Sequence, residues 1–161
     1  MKNWVIGLTV VLLVVLWKTG DLTYAVMKEK NHWEQQGTTM AEQYAGMVKV
    51  DKVSFYHGDQ RYLVVQGENS DGAKLIAWFR EGGIREGLEF EQNLVSKDII
   101  KEKLQTGTPG IRIVRVQPGI EERTPVWETV WLDSEGKYNY SYYDMKTGNF
   151  IRSYRLQNIG M

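Results

Sequence analysis

The chain has 161 residues, enough for one or two small domains and too few for a large enzyme. Lysine plus arginine equal aspartate plus glutamate at 20 each, so there is no net basic field to hold DNA or RNA, and no nucleic-acid partner is expected. Cysteine is absent, which excludes disulfide scaffolding, thiol catalysis, thiolate zinc sites and lipoprotein acylation.

Residues 4–17 read WVIGLTVVLLVVLW, uncharged and flanked by Lys2 and Lys18. As a helix they cover about 21 Å, short of the ~30 Å hydrocarbon core, and by length alone would also suit a cleavable signal peptide. Trp4 and Trp17 stand at the two ends, where indole rings prefer the membrane interface, and Lys18 can snorkel. Leu22, Tyr24, Ala25, Val26 and Met27 lengthen the apolar surface, while Thr23-Tyr24-Ala25 is a poor cleavage site. These features predict a cytoplasmic tail and retained transmembrane anchor over 1–22. The remainder would be extracytoplasmic, in the layout of a single-pass signal anchor.

A polar, helix-compatible stalk is expected over 23–38. A first domain over 39–90 would open with a helix through 40–47, capped by Thr39 and Glu42 at capping-box spacing with Gly37 marking a break; the same residues equally fit the middle of one long stalk helix. Runs rich in β-branched and aromatic residues at 48–56, 62–67 and 73–79 alternate with His57-Gly58-Asp59-Gln60 and Asn69-Ser70-Asp71-Gly72. They read as a three-stranded antiparallel meander, after which Gly82, Gly83 and Gly87 suggest a linker or irregular edge.

A second domain over 91–161 would begin with a helix after the N-cap Ser96, with Val95 and Ile100 as a hydrophobic staple and Asp98 in the first turn. Ile99, Ile100 and Leu104 form its predicted buried stripe, Lys101 and Lys103 its wet side, and Gly107 and Pro109 its end. Strands are expected at 111–116, 126–133, 138–144 and 150–156. Helix followed by antiparallel meander thus occurs twice, at a spacing of about 55 to 60 residues. The fold class is α+β, and each half is small enough that packing on the other is expected.

Ser134-Glu135-Gly136-Lys137 and Lys146-Thr147-Gly148 match strings found in penicillin-binding transpeptidases, but that chemistry needs the serine at a helix N-terminus with lysine one turn on. Both strings fall in predicted hairpin turns. His32 and His57 have no metal-ligand spacing around them, and Glu121-Glu122-Arg123 reads as a solvated loop before Pro125. No phosphate-cradling glycine loop is present. No enzyme activity, metal, cofactor or small-molecule substrate is therefore expected.

The C-terminal strands are dense in aromatic residues. A two-residue turn at Glu135-Gly136 would pair Trp131 with Tyr140 and Thr129 with Tyr142, gathering Trp131, Tyr138, Tyr140 and Tyr142 on one sheet face. With Trp127 and Arg152, and bordered by Arg112, Arg115 and Arg155, these rings have the composition of a protein-binding patch.

The segments DKVSFYHGDQRYLVVQGENSDGAKLIAWF, LVSKDIIKEKL and VWETVWLDSEGKYNYSYYDMKTGNFIRSYRL, preceded by a short anchor, resemble the YpmB/TseB family of Gram-positive bacteria over essentially the whole chain after the anchor. The turn from Asp144 through Thr147-Gly148 is also similar to the hairpin of PepSY domains. The resemblance implies two tandem cystatin-like domains, the second PepSY-like, after a transmembrane helix. It also implies a regulator of cell-wall elongation acting on a monofunctional penicillin-binding protein, with no catalytic residues to carry over. A PepSY-like inhibitor or sensor of an extracellular protease is the alternative that the same shape permits.

Overall fold

The computed structural model describes residues 28, 31–80 and 82–156. The anchor residues Trp4, Trp17 and Lys18 and the stalk residues 23–27, 29 and 30 lie outside the described residues. Among those described, no helix is long and apolar enough to cross a membrane. The chain divides into one unit ending at Gln36 and a second over Gly37–Met161. The described residues of the first unit, 28 and 31–36, are helical.

Helix α1 spans 31–45, so Thr39 is mid-helix rather than a cap and Gly37 does not break it. Glycine serves there as a point of close approach: a Cβ on Gly37 would lie 2.8 Å from a Val53 methyl. The helix ends at Gly46, whose φ of +66° gives the left-handed stop.

Strands β1 (Met47–His57), β2 (Arg61–Asn69), β3 (Lys74–Arg80) and β4 (Ile84–Phe90) form an antiparallel meander in sequential order. The fourth strand replaces the expected linker. Gly82 and Gly83, at φ +85° and +81°, make the turn, and the register slips between Trp78 and Phe79 opposite Gly87. β4 is a half-exposed edge with a glycine at its irregularity, so it lacks the apolar run that marks a buried strand.

After a short 3-10 turn over Glu91–Asn93, helix α2 spans Lys97–Gly107. The Ser96 hydroxyl accepts from the Ile99 amide at 3.4 Å, as the sequence indicates. Ile100 and Leu104 are buried but Ile99 is exposed, which narrows the expected stripe. Lys103 is exposed, on the expected wet side, and its ammonium donates to the Gly148 carbonyl at 2.9 Å.

A second sequential antiparallel sheet follows: β5 (Arg112–Glu121), β6 (Thr124–Leu132), β7 (Tyr138–Asp144) and β8 (Phe150–Arg155). β5 continues well past its expected end, through Pro118, tolerated because β5 is an edge strand. The loop expected at Glu121-Glu122-Arg123 is instead a tight hairpin turn, with Glu122 and Arg123 both at positive φ.

The cores explain how so short a chain holds two sheets. β2 and β3 are buried on both faces. Leu63, Val65, Leu75, Ala77 and Phe79 pack with Ala41 and Ala45 of α1. Tyr62, Val64, Ile76 and Trp78 point the other way, into a cluster that includes Ile100, Ile120, Val126, Trp127 and Tyr142. The first sheet thus closes the core of the second. At this junction the Tyr56 ring lies on bare Gly119 backbone, where a Cβ would meet three ring carbons at 2.5 to 2.8 Å. Gly119→Ala is therefore expected to cost about 1–3 kcal/mol through overpacking against a rigid ring, read as a lowered urea midpoint at unchanged slope.

Candidate functional site

The β6–β7 loop decides which side chains share a face. The Asp133 amide donates to the Lys137 carbonyl at 3.1 Å and Gly136, at φ +73°, donates to the Asp133 carbonyl at 2.9 Å. This closes a three-residue loop, not the expected two-residue turn. Pairing shifts by one, so Trp131 faces Asn139, Val130 faces Tyr140 and Glu128 faces Tyr142. A one-residue slip moves side chains to the opposite face. Trp131 is therefore separated from Tyr138, Tyr140 and Tyr142, contrary to the expected grouping.

Trp127, Thr129 and Trp131 occupy the face turned to α2. The Trp127 indole donates to the Val95 carbonyl, just before the helix cap, at 2.8 Å, and the Trp131 indole donates to the Ser141 hydroxyl at 3.0 Å. At 6% and 9% exposure, these two rings are core and offer no surface to a partner.

The opposite face carries the row Gln117–Glu128–Tyr142–Arg152, one residue from each strand. Glu128 is only 4% exposed. Its Oε1 accepts from Arg115 Nη2 at 2.9 Å and Gln117 Nε2 at 2.8 Å, and its Oε2 accepts from the Tyr142 hydroxyl at 3.1 Å. A buried carboxylate persists only when compensated in this way. Burial, with Glu128 adjacent, pushes the Tyr142 phenol well above its ordinary range. Arg152 lies over the Tyr142 ring at 4.9 Å and the Tyr154 ring at 5.4 Å, and pairs with Glu121, which also accepts from the Tyr56 hydroxyl at 2.8 Å.

Beyond this network the β7–β8 edge is apolar and open, with Tyr138 and Tyr154 on this face and Phe150, opposite Tyr143, on the other. Of eleven large apolar side chains exposed among the described residues, five sit on or just after β7 and β8: Tyr138, Phe150, Ile151, Tyr154 and Leu156. Tyr138 and Tyr154 are about half exposed, at 47% and 52%, and Tyr140 is partly buried between them. Phe150, Ile151, Tyr154 and Leu156 were not among the candidate residues read from the sequence. Their signal is that an edge strand exposes both faces, which requires knowing that β8 is the edge.

Beside the row lies a cleft of about 580 Å³, walled by the β1–β2 turn at His57 and Asp59, the β5–β6 turn at Glu121 and Glu122, and by Tyr142 and Arg152. The structure brings these charged turns together although 65 residues separate Tyr56 from Glu121. Among the described residues no group of His, Asp or Glu is arranged to hold a metal ion. The two transpeptidase-like strings lie in hairpin turns. Asp144 Oδ1 accepts from the Lys146 and Thr147 amides at 2.8 and 2.7 Å, and Lys137 pairs with Glu135 at 3.0 Å.

Two predictions test this geometry. Tyr142→Phe leaves one Glu128 oxygen without its donor and is expected to lose about 1 kcal/mol; Glu128→Ala, stranding Arg115, Gln117 and Tyr142, should lose about 1–3 kcal/mol. Denaturant titration of both variants measures the order. Asp133 is held at a pKa of about 2 by the Lys137 amide first, then Asn139 and Arg155. Because the folded value is below the unfolded value of about 3.9, this stabilisation is complete above pH ~4 and lost as pH falls through about 2. The stability advantage of the wild type over Asp133→Ala should accordingly be present at pH 5 and vanish near pH 2.

A family model described as "Cell wall elongation regulator TseB-like domain" matches residues 36–80. A protein of Bacillus subtilis (strain 168) named "Probable cell wall elongation regulator TseB" is 25% identical over 152 residues, covering 89% of this chain and 90% of its own. The solved YpmB protein from Bacillus subtilis shares the fold at a TM-score of 0.68 and 22% identity, over 76% of this chain and 96% of that one. The family model matches within α1 and the first sheet and the curated relative along most of the chain, so this protein is similar to the YpmB/TseB family in sequence and to the solved YpmB protein in fold.

Proposed function

We propose that this protein regulates cell-wall elongation from the outer side of the cytoplasmic membrane, by binding a monofunctional penicillin-binding protein and without catalysis of its own. In this reading residues 1–22 are the anchor, and 39–90 and 91–161 are two cystatin-like domains that present the binding face. The regulator role is supported by the similarity to a relative with that name. The observation that carries binding is the concentration of exposed apolar side chains around β7 and β8. Large exposed apolar patches mark interaction sites, and tyrosine with arginine is the composition enriched at interfaces. The polar groups beneath are already paired with one another, so covering this face does not strand the Glu128 charge.

Cross-linking the full-length chain in native membranes, followed by capture, tests the reading. The wild type should recover a monofunctional penicillin-binding protein. Tyr138→Ala combined with Tyr154→Ala should reduce recovery by more than tenfold at an unchanged Tm, because both rings are exposed. Undiminished recovery by that variant would remove the tyrosine face from the interaction, and failure of the wild type to recover a transpeptidase would remove the proposal.

A further inference from the structure

We infer that the outer edge of β8 is a strand-addition site, where an extended segment of the partner protein pairs as a ninth strand. The inference rests on the proposed binding role and specifies how the partner is held.

Among the described residues β8 is bonded on one side only, to β7, and all six of its residues are exposed. The Leu156 amide donates to the Tyr138 carbonyl at 2.9 Å. Backbone groups in an antiparallel strand point alternately to either side, so Tyr154 also bonds toward β7, while the N–H and C=O of Ser153 and Arg155 point outward. The other sheet edges are interrupted. β1 has two register shifts, β4 one between Arg85 and Gly87, and β5 one together with Pro118. The irregularity in β8 is confined to its start, leaving 152–155 in regular register. Proteins commonly blunt an edge with bulges, proline or lysine. β8 has no proline or lysine and is instead bordered by Phe150, Ile151, Tyr154 and Leu156.

The occupant's chemistry follows from the rows that it would extend. Next to Tyr154 it would place an apolar or aromatic side chain and next to Ser153, on the reverse face, a small one, while Arg152, already paired with Glu121, calls for no acidic partner. Backbone pairing supplies affinity and the alternate side chains supply selectivity. Two copies joined through β8 would only extend the sheet and leave the tyrosine face uncovered. The six-residue strands alone would also fall short of the roughly 1,200 Å² expected of a stable interface. An added strand that belongs to a partner protein can be followed by further partner chain that covers that face.

The test compares Ser153→Pro with Ser153→Ala in the full-length chain, using the penicillin-binding protein recovered above, in purified form. Both variants lose the hydroxyl that bonds Ser141 and Tyr140. Only proline removes the outward N–H, and an outward edge position tolerates it. Ser153→Pro should bind at least tenfold more weakly than Ser153→Ala at matched Tm. In the wild type, the Ser153 and Arg155 amides should exchange quickly when free and slowly in the complex, with Tyr154 protected throughout. Equal binding by the two variants, or unslowed exchange at Ser153 and Arg155 in the complex, would overturn the inference while leaving the tyrosine face in place. A wild-type dimer that Ser153→Pro dissociates would overturn it in favour of a second copy of this chain.

Discussion

The seating of Tyr56 on Gly119 governs much of what the rest of the second unit can do. Its ring needs bare backbone beneath it, and its hydroxyl donates to Glu121 at the end of β5. Through that contact the first sheet reaches the second and helps bury Ile120, Val126 and Tyr142 in a common cluster. Four-stranded sheets of this size have little interior of their own. Burying β2 and β3 on both faces, one against α1 and one toward the second sheet, roughly doubles the apolar surface each strand removes from water, at about 25 cal/mol per Å².

That shared core also divides the second sheet by function. One face is committed to α2, with Trp127 and Trp131 hydrogen-bonded in place. The other carries a polar network that is complete without a partner: Glu128 with Arg115, Gln117 and Tyr142, and Glu121 with Tyr56 and Arg152. Removing one member of such a network strands the others, whereas adding an apolar surface above it costs little. The face is therefore rigid underneath and accommodating on top, which suits recognition.

Local signals were legible in the sequence wherever one short segment determined the outcome. Ser96 capped α2 as expected, and β7 matched its expected span because turn residues bound it on both sides. Expectations failed where distant chain decided. Gly37 is a packing requirement against Val53 rather than a helix break, and Gly87 belongs to a strand rather than a linker. The candidate site divided along the same line. Tyr138, Tyr140, Tyr142 and Arg152 do share one face, but the two tryptophans grouped with them do not, because one extra loop residue reversed β6 relative to β7.

By itself, the sequence determined the α+β class, the repeated order of helix and meander, and the absence of thiol chemistry and of a basic field, since composition and periodicity act over short range. Only the tertiary structure decided which sheet edges remain open, which aromatic rings are core and which are surface, and that charged turns 65 residues apart meet in one cleft. Those outcomes depend on register and on sheet-to-sheet packing. Both are set by contacts between residues far apart in the chain, where a single-residue change in loop length alters every pairing that follows.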